Sequence, residues 1–571
     1  MTVARTPDLD FGWWEGYRPG WWLGFPDVVQ TGPTTLVATH NDGPGHGGGG
    51  RIWVRHSADL GQTWTKAIVV RYGGCNCPRL TQLRDGSLVL NADLYANPYC
   101  NVFYRSTDGG HRWTEIGGFN PIEAGGHDCC VPSRITELKD GSWLVVGSWA
   151  SGKAFELTQG EVLEFYRSTD QGRTWTLYNS LGENPRGLSE ASIIPLRDGR
   201  WMLVAREGYG RLPGVRCFSG DEGKTWSRFE ELPFGVHGRT CGGLLSDGRV
   251  LMTARAYYGP VGLWAWIDEP DAKLPPYAVG VHYNDRHNKG LKDGALCIDS
   301  DGACGQFTKY IFRCPNGPDT RLEVTAEVKV TANHGRAATL SIPYVGKLRI
   351  FPDQAQFAHD PKLRIDIEPG RFHAYRIVGD EREAVIYVDG VRKLVTPRRQ
   401  DDVAPLAWSP IKASAYPLEF GNEEPQDNQA AFDWVPESER SKEESPIAKS
   451  LYAPGELSPV LPANITPAVT GCSLWRSFQA RYTDARGEYH RVAWQATDGN
   501  FPDQYQLDHV LEVEGTISGC DQGYSGWTEL SDGRILVLNY TDDTARWNRD
   551  ASMPTLGVSW IRGTFIHPED K

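Results

Sequence analysis

The sequence predicts an all-β protein: a six-bladed β-propeller with a β-sandwich (jelly-roll) domain inserted in one blade. A seven-bladed propeller is the alternative. An octapeptide, Ser-x-Asp-x-Gly-x-x-Trp, occurs four times, and a second phrase, Leu-x-Asp-Gly between apolar strands, occurs five times. Alternating apolar runs precede the octapeptides, and the period of roughly 50 residues is in the range of propeller blades. The octapeptides begin at Ser57, Ser106, Ser168 and Ser219, and the shorter phrases at Leu83, Leu138, Leu196, Leu245 and Leu530.

Each repeat predicts a defined part of a blade. Asp-Gly between two alternating strands is the strongest short hairpin signal, so it joins the first two strands of a blade. The octapeptide follows the third strand, where its Asp accepts hydrogen bonds from turn amides and its Trp packs beneath the turn. A first blade without Asp-Gly is predicted around strands 25–30 and 35–40. Six blades are recognised in this way.

The repeat is interrupted between Ile267 and Tyr524, where longer alternating strands follow. We expect propeller blades in residues 1–274, an inserted sandwich in residues 275–445, and a return linker with the remaining blades in residues 446–571. Residues 473–514 either complete blade five or form a seventh blade. The insertion resembles laminin-G and concanavalin-like domains through the segments Tyr387-Val-Asp-Gly390, Glu419-Phe-Gly-Asn422 and Phe432-Asp-Trp434.

Composition excludes several classes of partner. A formal net charge of -13 argues against nucleic acid, and no stretch approaches the roughly 20 apolar residues of a membrane span. The amino terminus has no apolar signal region, so we expect a soluble protein, cytoplasmic or secreted by a route not readable from the sequence. The twelve cysteines fit neither a disulfide scaffold nor a common zinc pattern. We therefore expect no cofactor or metal, with a structural calcium and the oligomeric state left open.

Charged residues recur at equivalent blade positions when the blades are aligned on Asp-Gly. First strands line the channel of a propeller, so such residues converge on one ligand. Several buried cations without a partner would be costly, which favours an anionic or polyhydroxylated ligand such as a glycan. Four residues before the hairpin Leu stand Arg79 and Arg134, with Asp27 at the matching place in blade one, and six residues before it stand Glu190, Arg239 and Tyr524. Eight residues after the turn Asp stand Asp93, Ser148, Arg206, Arg255 and Tyr540, with His40 at the equivalent place in blade one.

These turns on a six-bladed propeller resemble the Asp boxes of the sialidase (neuraminidase) superfamily. The segment from Glu190 to Arg206 is similar to the sialidase segment that carries the glutamate partner of the nucleophile and an arginine of the carboxylate-binding triad. The segment from Tyr524 to Gly533 is similar to the one with the nucleophilic tyrosine. The resemblance implies that Tyr524 is the nucleophile, Glu190 its base and Arg206 a carboxylate ligand, with Arg239 or Arg255 as another triad member.

The chain departs from the sialidase pattern in two places. Gly24-Phe25-Pro26 stands where sialidases have Arg-Ile-Pro, so the first triad arginine is absent and Asp27 adds a negative charge. The acid/base aspartate of the family lies in the loop before the first Asp box, and this loop offers Asp42 and His46. A relative with a changed substrate is therefore expected.

Three functions follow. The first is a sialidase-like exo-glycoside hydrolase that removes a terminal acidic or unusual sugar. The second is a propeller polysaccharide lyase that performs β-elimination at a glucuronate, as in rhamnose-glucuronate lyases, with arginine at the carboxylate and a histidine or tyrosine moving the proton. Its candidate histidines are His40, His46, His127 and His237. The third is a non-catalytic glycan-binding protein with the sandwich as its binding module.

Overall fold

The computed structural model describes the 571-residue chain outside residues 1, 6–21, 44–49, 95–99, 128, 131–132, 149–161, 182–187, 208–212, 237, 257–261, 284–287, 301–306, 313–320, 332–336, 400–402, 405–412, 415–417, 424–470, 484–488, 515–522, 543–558 and 571. The chain divides into two compact units. The first comprises Met1–Pro275 and Tyr505–Lys571, and the second Pro276–Gln504. The carboxyl-terminal boundary of the insertion, expected at residue 445, therefore moves to Gln504.

Within the described residues, nineteen strands form the amino-terminal part of the first unit. They are β1 (Thr2–Arg5), β2 (Trp22–Gln30), β3 (Leu36–Gly43), β4 (Gly50–Ser57), β5 (Ile68–Gln82), β6 (Leu88–Leu94), β7 (Cys100–Ser106), β8 (Thr114–Phe119), β9 (Thr136–Glu137), β10 (Trp143–Gly147), β11 (Glu164–Ser168), β12 (Thr176–Ser180), β13 (Leu188–Pro195), β14 (Trp201–Glu207), β15 (Pro213–Ser219), β16 (Glu230–Gly235), β17 (Cys241–Leu244), β18 (Val250–Ala256) and β19 (Gly262–Asp268).

The second unit contributes the next strands along the chain. They are β20 (Val279–Tyr283), β21 (Lys289–Lys292), β22 (Ala295–Ser300), β23 (Thr308–Phe312), β24 (Leu322–Val330), β25 (Ala338–Ile342), β26 (Gly346–Ile350), β27 (Gln354–Phe357), β28 (Arg364–Asp366), β29 (His373–Gly379), β30 (Glu383–Val388), β31 (Val391–Pro397), β32 (Val403–Ala404), β33 (Ala413–Ser414), β34 (Leu418–Asn422), β35 (Gly471–Thr483) and β36 (Tyr489–Gln495).

The chain then returns to the first unit. The returning strands are β37 (Val510–Glu514), β38 (Ser525–Glu529), β39 (Ile535–Asp542) and β40 (Ser559–Ile566). Helical structure in the described ranges is limited to α1 (Gln504–His509) and the 3-10 turns Ala496–Asp498 and Pro568–Asp570. None of the helices in these ranges has the length and apolar character that a bilayer crossing requires.

Antiparallel meanders of four strands make up the first unit. Separate sheets contain β9 to β12, β13 to β16, β17 to β19 with β37, and β38 to β40 with β1. Strands β2 to β8 form one seven-stranded sheet because the fifteen-residue β5 pairs with β4 through its first half and with β6 through its second. The described strands thus form six meanders, two of which share β5.

The predicted Asp-Gly hairpins are present. In the first of them, Leu83 and Ser87 pair across the turn at 2.9 Å, and Gly86 adopts a left-handed φ of 82° that favours glycine. The equivalent glycines of the other four hairpins have φ between 82° and 104°. Each first strand therefore begins, and each second strand ends, at the end of the meander opposite to its Asp-Gly turn.

The octapeptide turns close the third strands of four meanders. In the first copy, Ser57 Oγ accepts the amide of Gly61 at 2.8 Å and Asp59 Oδ1 accepts that of Thr63 at 2.8 Å. Trp64 donates its indole N–H to the Gly61 carbonyl at 3.0 Å. The Ser and Asp contacts recur in all four copies. The turns are structural parts of the meanders, as the sequence predicts.

Two large sheets form the second unit. One has the order β20-β23-β34-β25-β26-β27-β28 and the other β21-β22-β35-β24-β29-β30-β31, with β36 added beside β35. Phe312 in the first sheet stacks on Phe478 in the second with ring centroids 4.8 Å apart, so the two sheets share an aromatic core. Burial alternates strictly along β24, as expected of a strand with one face on this core.

Residues 473–514 divide between the units. Strands β35 and β36 pair with β24 and with each other in the second unit, whereas β37 pairs with β19 in the first. These residues therefore complete meander five only through β37, and the rest of the segment extends the insertion. The expected motif Phe432-Asp-Trp434 and the linker at 436–462 lie outside the described residues.

Candidate active site

Tyr524 stands at the centre of the candidate site, immediately before β38. Its hydroxyl donates a hydrogen bond to Glu190 Oε2 at 3.1 Å. The same carboxylate oxygen lies 2.5 Å from Arg206 Nε. The three side chains are at least nine-tenths buried. The sequence predicted this grouping, because Glu190 and Tyr524 occupy the same position relative to their Asp-Gly turns.

Two further arginines face the tyrosine ring. The guanidinium carbons of Arg239 and Arg255 each lie 5.3 Å from the Tyr524 ring centroid. Arg239 is 1% exposed, and none of its three guanidinium nitrogens makes a hydrogen bond within the described residues. A buried guanidinium with five unused N–H donors is suited to a carboxylate or another anionic ligand.

Three strained backbone positions aim side chains at this centre. Phe25, Cys77 and Glu190 have positive φ of 49°, 49° and 47°, which is uncommon for residues other than glycine. Each lies at a register shift in the first strand of its meander: β2, β5 or β13. Such bulges redirect side chains and cluster at functional sites.

The bulges place their side chains around Tyr524. Phe25 packs edge-on against the tyrosine ring at 5.2 Å, and Cys77 belongs to the same buried cluster. Phe25, Cys77 and Glu190 all stand six residues before the position of the hairpin Leu. The sequence offered no signal for the bulges themselves.

The surroundings hold Tyr524 in its neutral form. Burial and the negative charge of Glu190 raise the pKa of the Tyr524 phenol well above its ordinary value, against the opposing effect of Arg206 and Arg255. The phenol therefore keeps its proton at neutral pH and donates it toward Glu190. A nucleophilic Tyr524 would have to transfer this proton to Glu190 as it attacks.

Asp27 organises a second cluster of predicted residues. It is fully buried and accepts the backbone amides of Val28 at 2.9 Å and Leu80 at 3.1 Å. Arg134 Nε donates to it at 3.0 Å, and Arg79 Nη1 lies 3.6 Å from it. Arg79 and Arg134 are therefore paired with Asp27, whereas Arg206, Arg239 and Arg255 surround Tyr524.

The Asp27 cluster contacts the backbone of the residue that follows Tyr524. Arg79 Nη1 donates to the carbonyl of Ser525 at 3.1 Å, the residue that follows Tyr524. A Cβ at Gly526 would lie 2.1 Å from Asp27 Oδ1, so this strand requires glycine there. A cavity of about 300 Å³ lies beside Arg79 and Arg134, and Tyr524 is not among its lining residues.

The predicted proton donors have different surroundings. Asp42 is fully buried and is held by Arg51, whose backbone amide and Nε both donate to it at 2.9 Å. His40 is also buried, and burial followed by the charge of Arg55 lowers its pKa to about 3, so its imidazole is neutral. His46 and His237 lie outside the described residues.

A histidine and a buried glutamate form a further pair in the third meander. Glu164 accepts the backbone amide of His127 at 2.9 Å and contacts its Nδ1 at 2.5 Å, and it also accepts the hydroxyl of Tyr166. The His127 side chain is 49% exposed, whereas that of Glu164 is 1% exposed. A Cβ at Gly126 would lie 2.5 Å from Glu164 Oε2, so glycine permits this approach.

The segment that carries His127 is connected to Glu190. The Glu190 amide donates to Ser148 Oγ at 2.9 Å, and Ser148 exchanges two backbone hydrogen bonds with Cys130. A carboxylate at one ring nitrogen fixes the tautomer of a histidine and leaves the other nitrogen for proton transfer. The sequence singled out His127 as a candidate but gave no signal for Glu164, which begins strand β11.

Comparisons with known proteins yield only distant structural likeness. No protein-family model and no curated protein matches the chain. A protein of unknown function from Dyadobacter fermentans is similar at 20% identity over 52% of this chain and 92% of that one, with a TM-score of 0.37. Trypanosoma rangeli sialidase in complex with the inhibitor DANA is similar at 10% identity over 70% and 91%, with a TM-score of 0.32. Penicillium chrysogenum alpha-L-arabinanase complexed with arabinobiose is similar at 15% identity over 52% and 92%, with a TM-score of 0.36.

Proposed function

We propose that the first unit is a six-bladed β-propeller and that the second is an inserted laminin-G or concanavalin-like sandwich. The six meanders support the propeller, and the pairing of β1 with β40 supports closure of its last blade by the amino-terminal strand. Insertion between β19 and β37 leaves the third and fourth strands of blade five paired. The shared aromatic core of two sheets supports the sandwich.

We propose that this propeller is a sialidase-like exo-glycosidase acting on a terminal acidic sugar. The hydrogen bond from Tyr524 to Glu190 carries the proposal, because it joins a buried phenol to a carboxylate beside three arginines. Arg239, with its unused donors, would bind the substrate carboxylate together with Arg206 and Arg255. A neutral phenol approaching an anomeric centre next to that carboxylate avoids like-charge repulsion.

The reaction would proceed in two steps. Tyr524 Oη forms a bond to the anomeric carbon while the bond from that carbon to the leaving oxygen breaks; Glu190 takes the phenol proton and an acid protonates the leaving oxygen. Water then attacks the anomeric carbon, the tyrosine leaves and recovers its proton from Glu190, and the water proton restores the acid. Asp42 and His46 are the candidate acids, and Asp42 would have to leave Arg51 to act.

Two variants test the catalytic pair. Tyr524→Phe and Glu190→Gln should each lower kcat on aryl glycosides of acidic sugars by at least about 100-fold, the low end for loss of an acid/base group. Tyr540→Phe is the matched control, because it removes one hydroxyl from a neighbouring ring, 6.5 Å away, and should retain most activity. Full activity of both Tyr524→Phe and Glu190→Gln would refute the assignment.

A lyase is the second candidate function, favoured by the pair His127 and Glu164. In this alternative the arginines neutralise a uronate carboxylate, His127 removes the proton beside it, and the leaving oxygen departs with a proton from Tyr524. The product is an unsaturated uronate with ultraviolet absorbance. Ultraviolet absorbance from the product would contradict the hydrolase. Release of reducing sugar without this absorbance would contradict the lyase. Glycan binding without absorbance and without reducing sugar would support a glycan-binding protein.

A further inference from the structure

Two cysteines and an aspartate from distant parts of the sequence meet on the second unit. Strands β22 and β35 are antiparallel neighbours, and Asp299 lies directly opposite Cys472 in their register. Cys297 stands two residues before Asp299, hence on the same face of β22. One ligand atom from each of the three residues lies within 4.8 Å of those of the other two.

The local burial pattern directs this cluster outward. Leu296 and Ile298 are fully buried in the core, whereas Cys297 and Cys472 are half-buried and Asp299 is exposed. The cluster is therefore open to solvent and ions while its backbone is held by two packed strands. It lies wholly within the second unit and is independent of the reaction proposed for the first.

We propose that Cys297, Asp299 and Cys472 form a binding site for a divalent zinc ion. Two sulfurs and one carboxylate oxygen are ligands that zinc prefers, and a water molecule would complete four-coordination. Ligands at about 2.3 Å from a tetrahedral ion lie roughly 3.8 Å apart, so the present spacing needs to contract by only about 1 Å. Side-chain rotation supplies that much movement without a change in strand register.

Hydrogen bonds hold the proposed ligands close together. Cys297 Sγ lies 3.5 Å from Asp299 Oδ1, so two of the three ligand atoms are already in contact. The hydroxyl of Thr331 lies 3.2 Å from the Cys472 sulfur, and the Thr331 amide donates to the Cys472 carbonyl at 3.0 Å. Zinc binds cysteine as the thiolate, so binding would release thiol protons to solvent.

The position of the site predicts what bound metal does to the fold. Residues 301–470 separate the two ligand strands, so the ion would connect the first strands of the second unit to its last ones. A ligand that binds only the folded state stabilises it by mass action. Zinc should therefore raise the melting temperature of the second unit.

The test uses the full chain, reduced and freed of metal, with zinc alone as the probe. Calorimetry should find one zinc per chain, and cobalt should give a thiolate-to-metal charge-transfer band. Cys297→Ser with Cys472→Ser should abolish both signals without changing the melting temperature of the metal-free protein. Asp299→Asn should weaken binding, whereas the control Asp366→Asn, which changes an exposed carboxylate on β28, should not.

Two outcomes would overturn the proposal. One is the absence of stoichiometric zinc binding by the reduced protein, or equal binding by the double serine variant. The other is a Cys297–Cys472 disulfide in the protein as purified, seen by alkylation and mass spectrometry, combined with no zinc binding after reduction. The second outcome would identify the pair as a redox crosslink instead of a metal site.

Discussion

The four charged side chains around Tyr524, those of Glu190, Arg206, Arg239 and Arg255, have separate tasks at the residue scale. Glu190 contacts the phenol directly, and Arg206 holds the same carboxylate oxygen. Arg239 is the side chain with unused capacity, since its nitrogens make no hydrogen bond among the described residues. A bound anion would supply the missing partners, which links its burial to substrate binding.

Replacing Arg239 separates function from stability. Arg239→Met keeps similar volume but removes the buried charge, so the free energy of unfolding should stay equal or rise. Loss of a charged hydrogen bond to the substrate, worth about 1.5–3 kcal/mol, should lower kcat/KM for an acidic substrate by roughly 10- to 100-fold. A neutral analogue should be affected much less. Unchanged kinetics with a lower melting temperature would make Arg239 a structural residue.

Asp27 contrasts with Arg239, because we expect its charge to stabilise the folded state. Asp27→Asn leaves the buried Arg79 and the partly buried Arg134 without this counter-charge, and breaking a buried pair typically costs about 3–5 kcal/mol. Urea unfolding should show this loss. Asp366→Asn, which breaks an exposed pair with Arg364, should change stability little. Equal urea midpoints for the Asp27 variant and the unmodified protein would contradict the assigned role.

The octapeptide turns act at the scale of the element. Hydrogen bonds from the Thr174 side chain and backbone lower the pKa of Asp170 from 3.8 to about 2. The folded pKa is below the unfolded one, so the stabilisation is present above pH 3.8 and is lost as pH falls toward 2. The same turn occurs in the three other copies.

The lowered pKa of Asp170 predicts that its contribution to stability decreases as the pH falls. Asp170→Asn should lower the melting temperature at pH 6, and the difference from the unmodified protein should shrink as pH falls from 4 to 2. Scanning calorimetry across this range measures it. Thr174→Val should produce part of the same loss, and the double variant should show that the two effects are not additive. A difference that does not depend on pH would rule out the charged hydrogen bond as its source.

Predictability also differs between elements. The Asp-Gly hairpins can be predicted from the sequence because the turn residues themselves determine the hairpin. The turn from Leu83 to Ser87 is an example. The bulges at Phe25, Cys77 and Glu190 depend on packing between neighbouring first strands, which leaves no local signature. Alignment on the Asp-Gly turns put Glu190 and Tyr524 at equivalent positions, and their side chains are hydrogen-bonded. Glu164, the partner of His127, comes from another strand and had no signal in the sequence.

At the scale of the whole molecule, the second unit follows β19 and precedes β37 in the chain, and it extends beyond the predicted boundary at residue 445 to Gln504. Strands β35 and β36 alternate just as blade strands do, so sequence alone could not tell which sheet they join. Pairing with β24 and β22 decides the matter, and these partners are more than 140 residues away. The cluster of Cys297, Asp299 and Cys472 has no local signature for the same reason, since Cys297 and Cys472 meet only through that pairing.

Removal of the second unit tests whether the first unit folds and functions without it. Trp266 of β19 pairs with Val510 of β37, so a short loop can replace residues 272–503 without moving either strand. The shortened protein should unfold cooperatively and retain activity on small aryl glycosides, because every candidate site residue belongs to the first unit. Loss of folding would show that blade five needs the insertion.

Trapping of the covalent intermediate tests the central claim most directly. An acidic fluorosugar with an activated leaving group should label the protein once, and peptide mass spectrometry should place the sugar on Tyr524. Glu190→Gln should be labelled far more slowly, because the phenol would lack its base. A label on another residue, or no label while the parent aryl glycoside is still turned over, would contradict the assignment of Tyr524 as the nucleophile.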